Sequence, residues 1–430
     1  MIKYIGIAFS IILTSFYFFP FEFLAFPGVN TKMAMAGLSL IILGFQLGMK
    51  ANATIDKDFF NLSILALLVS FASFISMVYN NTEDPSFLTY FISMWVWLGG
   101  AYTLIQCLKF VHGYVSVRLC CNYLISVCVA QCFFAYAISV FPALDNFVDG
   151  FLGGEAFMGR AEGRMYGIGC ALDVAGLRFS TVLVMIVFIL VFDYKYIKPY
   201  IFLYLMSFII ITIIGNMMAR STTIGVGLSI CFLLFVSIYF RYNGVYVGVL
   251  WKQIGGLMLV IVPVIVMLYY TNATFHSNLR FGFEGFFSLW EKGRWEVSSN
   301  DILFEHMIVF PETLKTWIIG DGYAANPKDD PYYIGKIWHG YYMGTDIGYL
   351  RFIFYFGIIG TLAFIVFICT AAWSCMKRFP AYRWMFLMIL IVNLVGWFKV
   401  SSDVFLALAI FLCISKEEQK MSEDKGIILS

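Results

Sequence analysis

The chain contains 430 residues, of which 61% are hydrophobic, 19% aromatic and only 13% charged, and its formal net charge is +2. A soluble domain is usually about 45–50% apolar and about 25% charged, and a single core stops growing near about 250–300 residues. The mean hydropathy of +0.85 over the whole length therefore excludes soluble enzymes, disordered proteins and nucleic-acid-binding proteins, and it predicts an all-α polytopic membrane protein.

Apolar stretches long enough to cross a bilayer recur along the chain, and they lack the strict alternation of barrel strands, which favours helices. We expect about twelve spans, near 4–26, 33–49, 59–79, 87–108, 119–143, 175–193, 199–218, 222–240, 254–271, 347–373, 382–398 and 401–415. They predict transmembrane helices 1–5 over 1–143, a first long loop over 144–174, helices 6–9 over 175–271, a second long loop with short helices over 272–346, helices 10–12 over 347–415, and a tail over 416–430.

The lysines and arginines of the short connections predict the orientation of these spans. With the N-terminus inside, the inner segments hold fifteen basic residues, whereas the short outer connections hold only Lys32, Arg220 and Lys399. Both termini are therefore expected in the cytoplasm and both long loops outside it. Loops of this length are uncommon without a function, so we expect the working surface to be extracytoplasmic.

Neither the cysteines nor the acidic residues predict a metal site. Of the ten cysteines, only Cys170 lies in an outer loop, and the others lie in or beside apolar spans, as packing residues do. The only adjacent acidic pair on the outer side, Asp329 and Asp330, precedes Pro331 in a pattern typical of a turn. We therefore expect no metal and no cofactor.

Several outer stretches resemble the O-antigen polymerase and O-antigen ligase superfamily of membrane glycosyltransferases. They are GRAEGR at 159–164, DVAGLR at 173–178, MARST at 218–222, GRW at 293–295, IGDGY at 319–323 and GTDIGYLR at 344–351. The order and outer location of these stretches, together with the number of predicted helices, extend the resemblance over most of the chain. Ligases typically carry a histidine at the place that Asp346 occupies here, so the pattern looks more like the polymerases of surface polysaccharide repeat units.

The resemblance implies a GT-C-like fold and the polymerisation of undecaprenyl-diphosphate-linked repeat units into an O-antigen or capsule-like polysaccharide at the bacterial inner membrane. It implies lipid-linked glycans, membrane lipids and a chain-length regulator as partners, and no nucleic acid. Two alternatives stay open. One is the ligase of the same superfamily, and the other is a flippase or other transporter of lipid-linked oligosaccharides.

Arginine suits a lipid-diphosphate leaving group, because its planar fork binds phosphate oxygens bidentately and stays ionised. Arg220 is the strongest candidate, since a lone arginine in a short outer connection breaks the charge rule. For each arginine, the alternative is contact with lipid headgroups. The candidates for binding diphosphate or glycan are Arg160, Arg164, Arg178, Arg220, Arg294 and Arg351.

The acceptor hydroxyl must lose a proton as it attacks the anomeric carbon, so a base is expected within hydrogen-bond reach. Asp346 is the first candidate, because it lies at the mouth of a span about one helical turn before Arg351. Its alternative role is the N-cap of the following helix. His339 is the second candidate for the catalytic base.

Overall fold

The computed structural model describes residues 2–49, 56–153, 164–239, 247–327 and 340–415. Within these ranges the chain is helical apart from its connections and one antiparallel pair of two-residue strands, β1 (Glu22–Phe23) and β2 (Leu152–Gly153). The protein is an all-α polytopic membrane protein, as its composition predicts.

Helices lie over each predicted span of the first three quarters of the chain. They are α1 (Ile2–Phe18), α2 (Thr31–Met49), α3 (Lys57–Asn80), α4 (Tyr90–His112), α5 (Val117–Val140), α6 (Pro142–Asp149), α7 (Leu172–Phe192), α8 (Tyr194–Ile197), α9 (Ile201–Met218), α10 (Thr222–Tyr239) and α11 (Val247–Thr271). A 3₁₀ turn, Lys198–Tyr200, joins α8 to α9, so these two helices form one nearly continuous apolar segment.

Short helices build the second long loop, and three further helices follow it. The loop contains α12 (Ala273–Gly282), α13 (Glu284–Lys292), α14 (Ser298–Ile302), a π-helical turn (Leu303–Met307), α15 (Leu314–Ile318) and a 3₁₀ turn (Tyr342–Gly344). The last helices are α16 (Gly348–Arg378), α17 (Arg383–Gly396) and α18 (Phe405–Leu412), with a 3₁₀ turn (Pro380–Tyr382) before α17.

Nine helical segments of the described chain are long and apolar enough to cross a membrane, and α1 and α17 are shorter apolar helices. The last expected span, 401–415, contains only the eight residues of α18. At 1.5 Å per residue α18 is about 12 Å long, against a hydrocarbon core of about 30 Å. It starts late because Asn393 Oδ1 accepts from the amide of Val404 at 2.8 Å and the Trp397 indole donates to the Ser402 carbonyl at 2.9 Å.

Contacts at the two ends of α3 and α16 define the sides of the helix bundle. At one end, Arg378 of α16 lies 2.8 Å from a carboxylate oxygen of Asp56, which caps α3. At the other end of α3, the Asn80 amide donates to the Gly320 carbonyl of the second long loop at 3.1 Å. The second long loop therefore covers the side opposite Arg378, which we call the loop side.

The α16 helix is interrupted at Gly357, whose φ is +67°. Glycine adopts this conformation at no steric cost, and a Cβ at this position would clash with the carbonyl oxygen of Ile318 in α15. The amides of Asp321 and Gly322 donate to two α16 carbonyls just before the break, at 2.5 and 3.0 Å. Backbone of the second long loop thus satisfies carbonyls that the interrupted helix leaves unpaired.

The centre of the bundle is α7, which is buried along almost its whole length. It packs against α5, α9, α10 and α17, so neighbours on every side fix its position. Its loop-side end begins at Leu172 and carries Asp173 and Arg178. These residues belong to the DVAGLR stretch, which the fold therefore holds rigidly at the base of the loop side.

Candidate functional site

Arg220 lies in the short turn between α9 and α10 on the loop side. Its Nε donates to the Phe281 carbonyl at 3.0 Å, and its Nη1 donates to Ser299 Oγ at 2.9 Å. Its Nη2 lies 2.6 Å from Glu284 Oε2, and the guanidinium lies 4.2 Å from the centroid of the Phe281 ring. All three guanidinium nitrogens of Arg220 therefore join the turn to the second long loop.

The groups around Arg220 shift the pKa of its guanidinium in opposite directions. Burial lowers the pKa of its guanidinium from the usual value, while the Glu284 carboxylate raises it and the second cation, Arg164, lowers it. An arginine stays protonated through shifts of this kind, because guanidinium does not lose its proton in proteins. The site therefore holds a fixed positive charge that is 14% exposed.

The turn that carries Arg220 is fixed against the loop-side end of α7. The Ser221 hydroxyl donates to Asp173 Oδ1 at 2.8 Å. Gly176 permits this approach, because a Cβ there would clash with Ser221 Oγ. Lys399 Nζ lies 3.8 Å from the same Asp173 oxygen, so the connection between α17 and α18 also reaches this place.

Arg164 brings the first long loop to the same point. Its guanidinium lies 5.3 Å from the centroid of the Phe281 ring, so Arg164 and Arg220 share one aromatic side chain. Such cation–aromatic contacts hold a guanidinium in place without consuming its N–H donors. Two arginines from separate segments therefore converge on a residue of the second long loop.

Arg178 lies deeper than this cluster, within α7. The residue as a whole is half-buried, and its guanidinium lies 5.6 Å from the centroid of the Phe19 ring. Its Nε is buried and has no hydrogen-bond partner among the described residues. Arg178 is thus not in the Phe281 contact, although it belongs to the same helix end as Asp173.

Asp346 and Arg351 lie together at the start of α16, as their spacing predicts. Asp346 Oδ1 lies 4.0 Å from Arg351 Nη1, and the two side chains are 24% and 17% exposed. The Arg351 guanidinium also lies 4.0 Å from the centroid of the Tyr341 ring. The N-cap of α16 is Ile347, whose side chain makes no capping hydrogen bond, so Asp346 does not occupy the N-cap position that the sequence suggested for it.

The connection between α17 and α18 links the two clusters. The Tyr349 amide donates to the Trp397 carbonyl at 3.1 Å, and the Tyr349 ring packs against Phe398 with a centroid distance of 5.1 Å. The next residue is Lys399, which contacts Asp173. An unbroken series of contacts therefore runs from the Asp346–Arg351 pair to the turn that carries Arg220.

The remaining predicted residues have different surroundings. Arg294 is 74% exposed, and its Nε lies 2.5 Å from Glu296 Oε1, so it is not in the cluster around Phe281. Arg160 and His339 lie outside the described residues. Asp321, in the IGDGY stretch, accepts hydrogen bonds from Lys315 and Thr316 at 2.5 and 2.7 Å, which makes it an anchor for the loop.

Three partners of Arg220 were not predicted. No local pattern distinguishes Phe281, Glu284 or Ser299 from other aromatic, acidic and hydroxyl residues of the second long loop. The sequence did indicate that Asp173 and Ser221, which are in contact, belong to functional stretches, because both lie in stretches that carry the family resemblance. The pairing of those two stretches in space was not predicted.

An apolar cavity of about 480 Å³ lies beside the Arg220 cluster, between α9, α11, α12 and α13. Leu279, Phe283 and Phe287 line it, while the intervening residues Phe281 and Glu284 hold Arg220. The turn between α12 and α13 therefore presents apolar side chains to the cavity and polar groups to the arginine. A molecule with an apolar chain and an anionic head matches this division.

Within the described residues, no group of three or more His, Cys, Asp or Glu side chains is arranged to hold a metal ion. No family model matches the chain, and neither a curated protein nor a solved structure matches it significantly. The chemistry of the loop side is thus assigned from its own residues: fixed cations, one carboxylate beside a cation, and a neighbouring apolar cavity.

Proposed function

We propose that this protein polymerises undecaprenyl-diphosphate-linked oligosaccharide repeat units into an O-antigen or capsule-like surface polysaccharide. One observation carries the proposal: Arg164 and Arg220, from segments distant in sequence, meet at Phe281 on the loop side. The leaving lipid diphosphate gains negative charge in the transition state, and fixed cations that are already oriented stabilise such charge most effectively.

The proposal includes an orientation and a place in the cell. The loop side is the outer face of a bacterial inner membrane, both termini are cytoplasmic, and the chain crosses the membrane about twelve times. The last crossing combines α18 with the connection before it, because the Leu412 carbonyl at the end of α18 accepts a hydrogen bond from Arg378, opposite the loop side. The excess of lysine and arginine in the opposite connections supports this orientation. The lipid-linked substrates would then meet the arginines at the depth of the outer headgroups.

The proposed reaction moves one proton and one glycan. A sugar hydroxyl of the acceptor repeat unit attacks the anomeric carbon of the donor glycan, and the bond from that carbon to the diphosphate oxygen breaks. The lipid diphosphate leaves with the electron pair, next to Arg220 and Arg164. Asp346 accepts the hydroxyl proton, and Arg351 at 4.0 Å orients its carboxylate.

The cavity beside Glu284 supports a lipid-linked substrate. Its lining is almost wholly apolar, and ligand sites of this size bury most of an apolar ligand's surface. Trp290, which also borders the cavity, is 89% exposed, as tryptophans at a membrane interface are. A prenyl chain could thus enter from the bilayer while its diphosphate contacts Arg220.

The break in α16 bears on the transporter alternative. Transporters often bind their substrates at the open backbone of interrupted helices near the middle of the bilayer. Here the carbonyls before Gly357 accept hydrogen bonds from Asp321 and Gly322 of the chain itself. This break holds the second long loop, and these two carbonyls are occupied by the chain's own amides.

A reconstituted reaction tests the proposal. Full-length protein in liposomes receives purified undecaprenyl-diphosphate-linked repeat units, and the glycan products are separated by length. We expect a ladder from the wild type, no ladder from Arg220→Ala or Asp346→Asn, and a normal ladder from Arg280→Ala, whose exposed arginine pairs with Glu291. Transfer only to a lipid A core acceptor would identify a ligase, and movement of substrate across the bilayer without new bonds would identify a flippase.

A further inference from the structure

The contacts of Arg220 point to a specificity-determining role for Glu284, and this inference rests on the proposed function. We propose that the Glu284 carboxylate occupies Arg220 until a lipid diphosphate displaces it, and that it thereby excludes phospholipid headgroups. The geometry raises the question of how a diphosphate would bind, because Phe281, Ser299 and Glu284 already contact all three guanidinium nitrogens of Arg220. A bidentate phosphate contact therefore competes with at least one of these partners.

Of these three partners, Glu284 is the one that an anion would replace. Its contact with Arg220 is an ion pair at 2.6 Å, whereas Phe281 and Ser299 offer uncharged oxygens. Glu284 is the first residue of α13 and is 33% exposed, so its side chain can turn outward without leaving the helix. Ser298 Oγ donates to Glu284 Oε2 at 3.2 Å and steadies the carboxylate in its present position.

The charge of the incoming anion decides whether the exchange is favourable. A phosphodiester headgroup carries a single negative charge, which equals the charge of the carboxylate that it would replace. A lipid diphosphate carries more than one negative charge, and Arg164, whose guanidinium lies 5.3 Å from the centroid of the same Phe281 ring, supplies a second positive charge to attract it. Arginine forks bind phosphate oxygens strongly. Without the Glu284 carboxylate, Arg220 at the depth of the headgroups would therefore bind the phosphate of the abundant phospholipids.

A purely structural role for the ion pair of Glu284 with Arg220 leads to a different prediction. If Glu284 only anchored α13 to the turn between α9 and α10, its loss would lower stability and leave the choice between lipids unchanged. A selective carboxylate instead changes that choice when its charge is removed. The ratio of two bound lipids, measured together with the melting temperature, therefore separates the two roles.

The experiment compares wild-type protein with Glu284→Gln and Glu284→Asp in nanodiscs that contain phosphatidylglycerol and a trace of undecaprenyl diphosphate. Native mass spectrometry counts each bound lipid. We expect the preference of Glu284→Gln for diphosphate over phosphatidylglycerol to fall about tenfold, the size of one charge-assisted hydrogen bond. Glu284→Asp, which keeps the charge on a shorter side chain, should lie between the two. Glu291→Gln, on the same helix but paired with exposed Arg280, should match the wild type.

Three results would overturn the inference in different ways. A wild-type lipid preference in both Glu284 variants, with melting temperatures near that of the wild type, would leave the proposed function standing and remove the selective role. The same wild-type preference with lowered melting temperatures would make Glu284 a structural anchor. Wild-type protein that binds no undecaprenyl diphosphate would remove the proposed function together with this inference.

Discussion

Replacing Arg220 with lysine separates the value of a positive charge from the value of a guanidinium fork. A lysine can keep the ion pair with Glu284, but one ammonium cannot also reach the Phe281 carbonyl and Ser299 Oγ in the observed arrangement. Each lost hydrogen bond contributes about 0.5–1.5 kcal/mol net. The anchoring of the second long loop should therefore weaken by about 1–3 kcal/mol in the free energy of unfolding.

The effect on catalysis should be larger than the effect on folding. A fork that loses its second donor stabilises the leaving diphosphate less in the transition state, and removing one such donor in other enzymes costs about 10²–10³-fold in rate. We expect Arg220→Lys to slow glycan transfer by that factor. Arg220→Ala should be slower still, because it also leaves Glu284 without its cation. Initial rates with lipid-linked repeat units in liposomes measure both variants.

The matched control is Arg280→Lys, on the neighbouring helix α12. Arg280 forms its ion pair with Glu291 in solvent, with both side chains about 40% exposed, and exposed pairs contribute only about 0–1 kcal/mol. Its rate and melting temperature should stay near those of the wild type. Wild-type rates and polymer lengths from a folded Arg220→Lys protein would refute the assignment of Arg220 to the diphosphate site.

Three further outcomes are expected. A reporter fused after Ser430 should be cytoplasmic and one inserted near Asn326 extracytoplasmic; a cytoplasmic signal at Asn326 would contradict the proposed orientation. Asp346→Asn should fold normally yet leave single repeat units unpolymerised, and a normal ladder from this variant would make His339 the candidate base. Asp346→Ala should melt within about 1 kcal/mol of the wild type, because the N-cap of α16 is Ile347 and the pair with Arg351 is long, at 4.0 Å. Gly357→Ala should lower the free energy of unfolding by about 1–3 kcal/mol, because its φ is +67° and a Cβ would meet the α15 backbone; an unchanged melting curve would contradict this.

Hydrophobic run length predicted most helices well, because a membrane helix needs only enough consecutive apolar residues. The expected spans 59–79 and 119–143 correspond to α3 (Lys57–Asn80) and α5 (Val117–Val140). The same reasoning overextended the helix at 401–415. Side chains of Asn393 and Trp397 hold residues 402–404 in a connection, and run length carries no information about such tertiary hydrogen bonds.

The candidate site was predictable only in part. Arg220 stood out because charge in a short outer connection is unusual, and the Asp346–Arg351 spacing placed two charges on neighbouring turns. The partners of Arg220 follow 61 residues later at Phe281 and 79 residues later at Ser299. Their meeting depends on how the second long loop folds back over the bundle, which no local pattern encodes.

The interruption of α16 has a consequence for how the protein is assembled in the membrane. The loop-side part of this helix, from Gly348 to the break, is about 10–15 Å long, and an unpaired carbonyl in lipid costs several kcal/mol. The groups that pair with it, the amides of Asp321 and Gly322, are synthesised before α16. Insertion of this helix and docking of the preceding loop should therefore occur as one cooperative event, so that a chain with an undocked loop would present the quality-control machinery with an incompletely inserted helix.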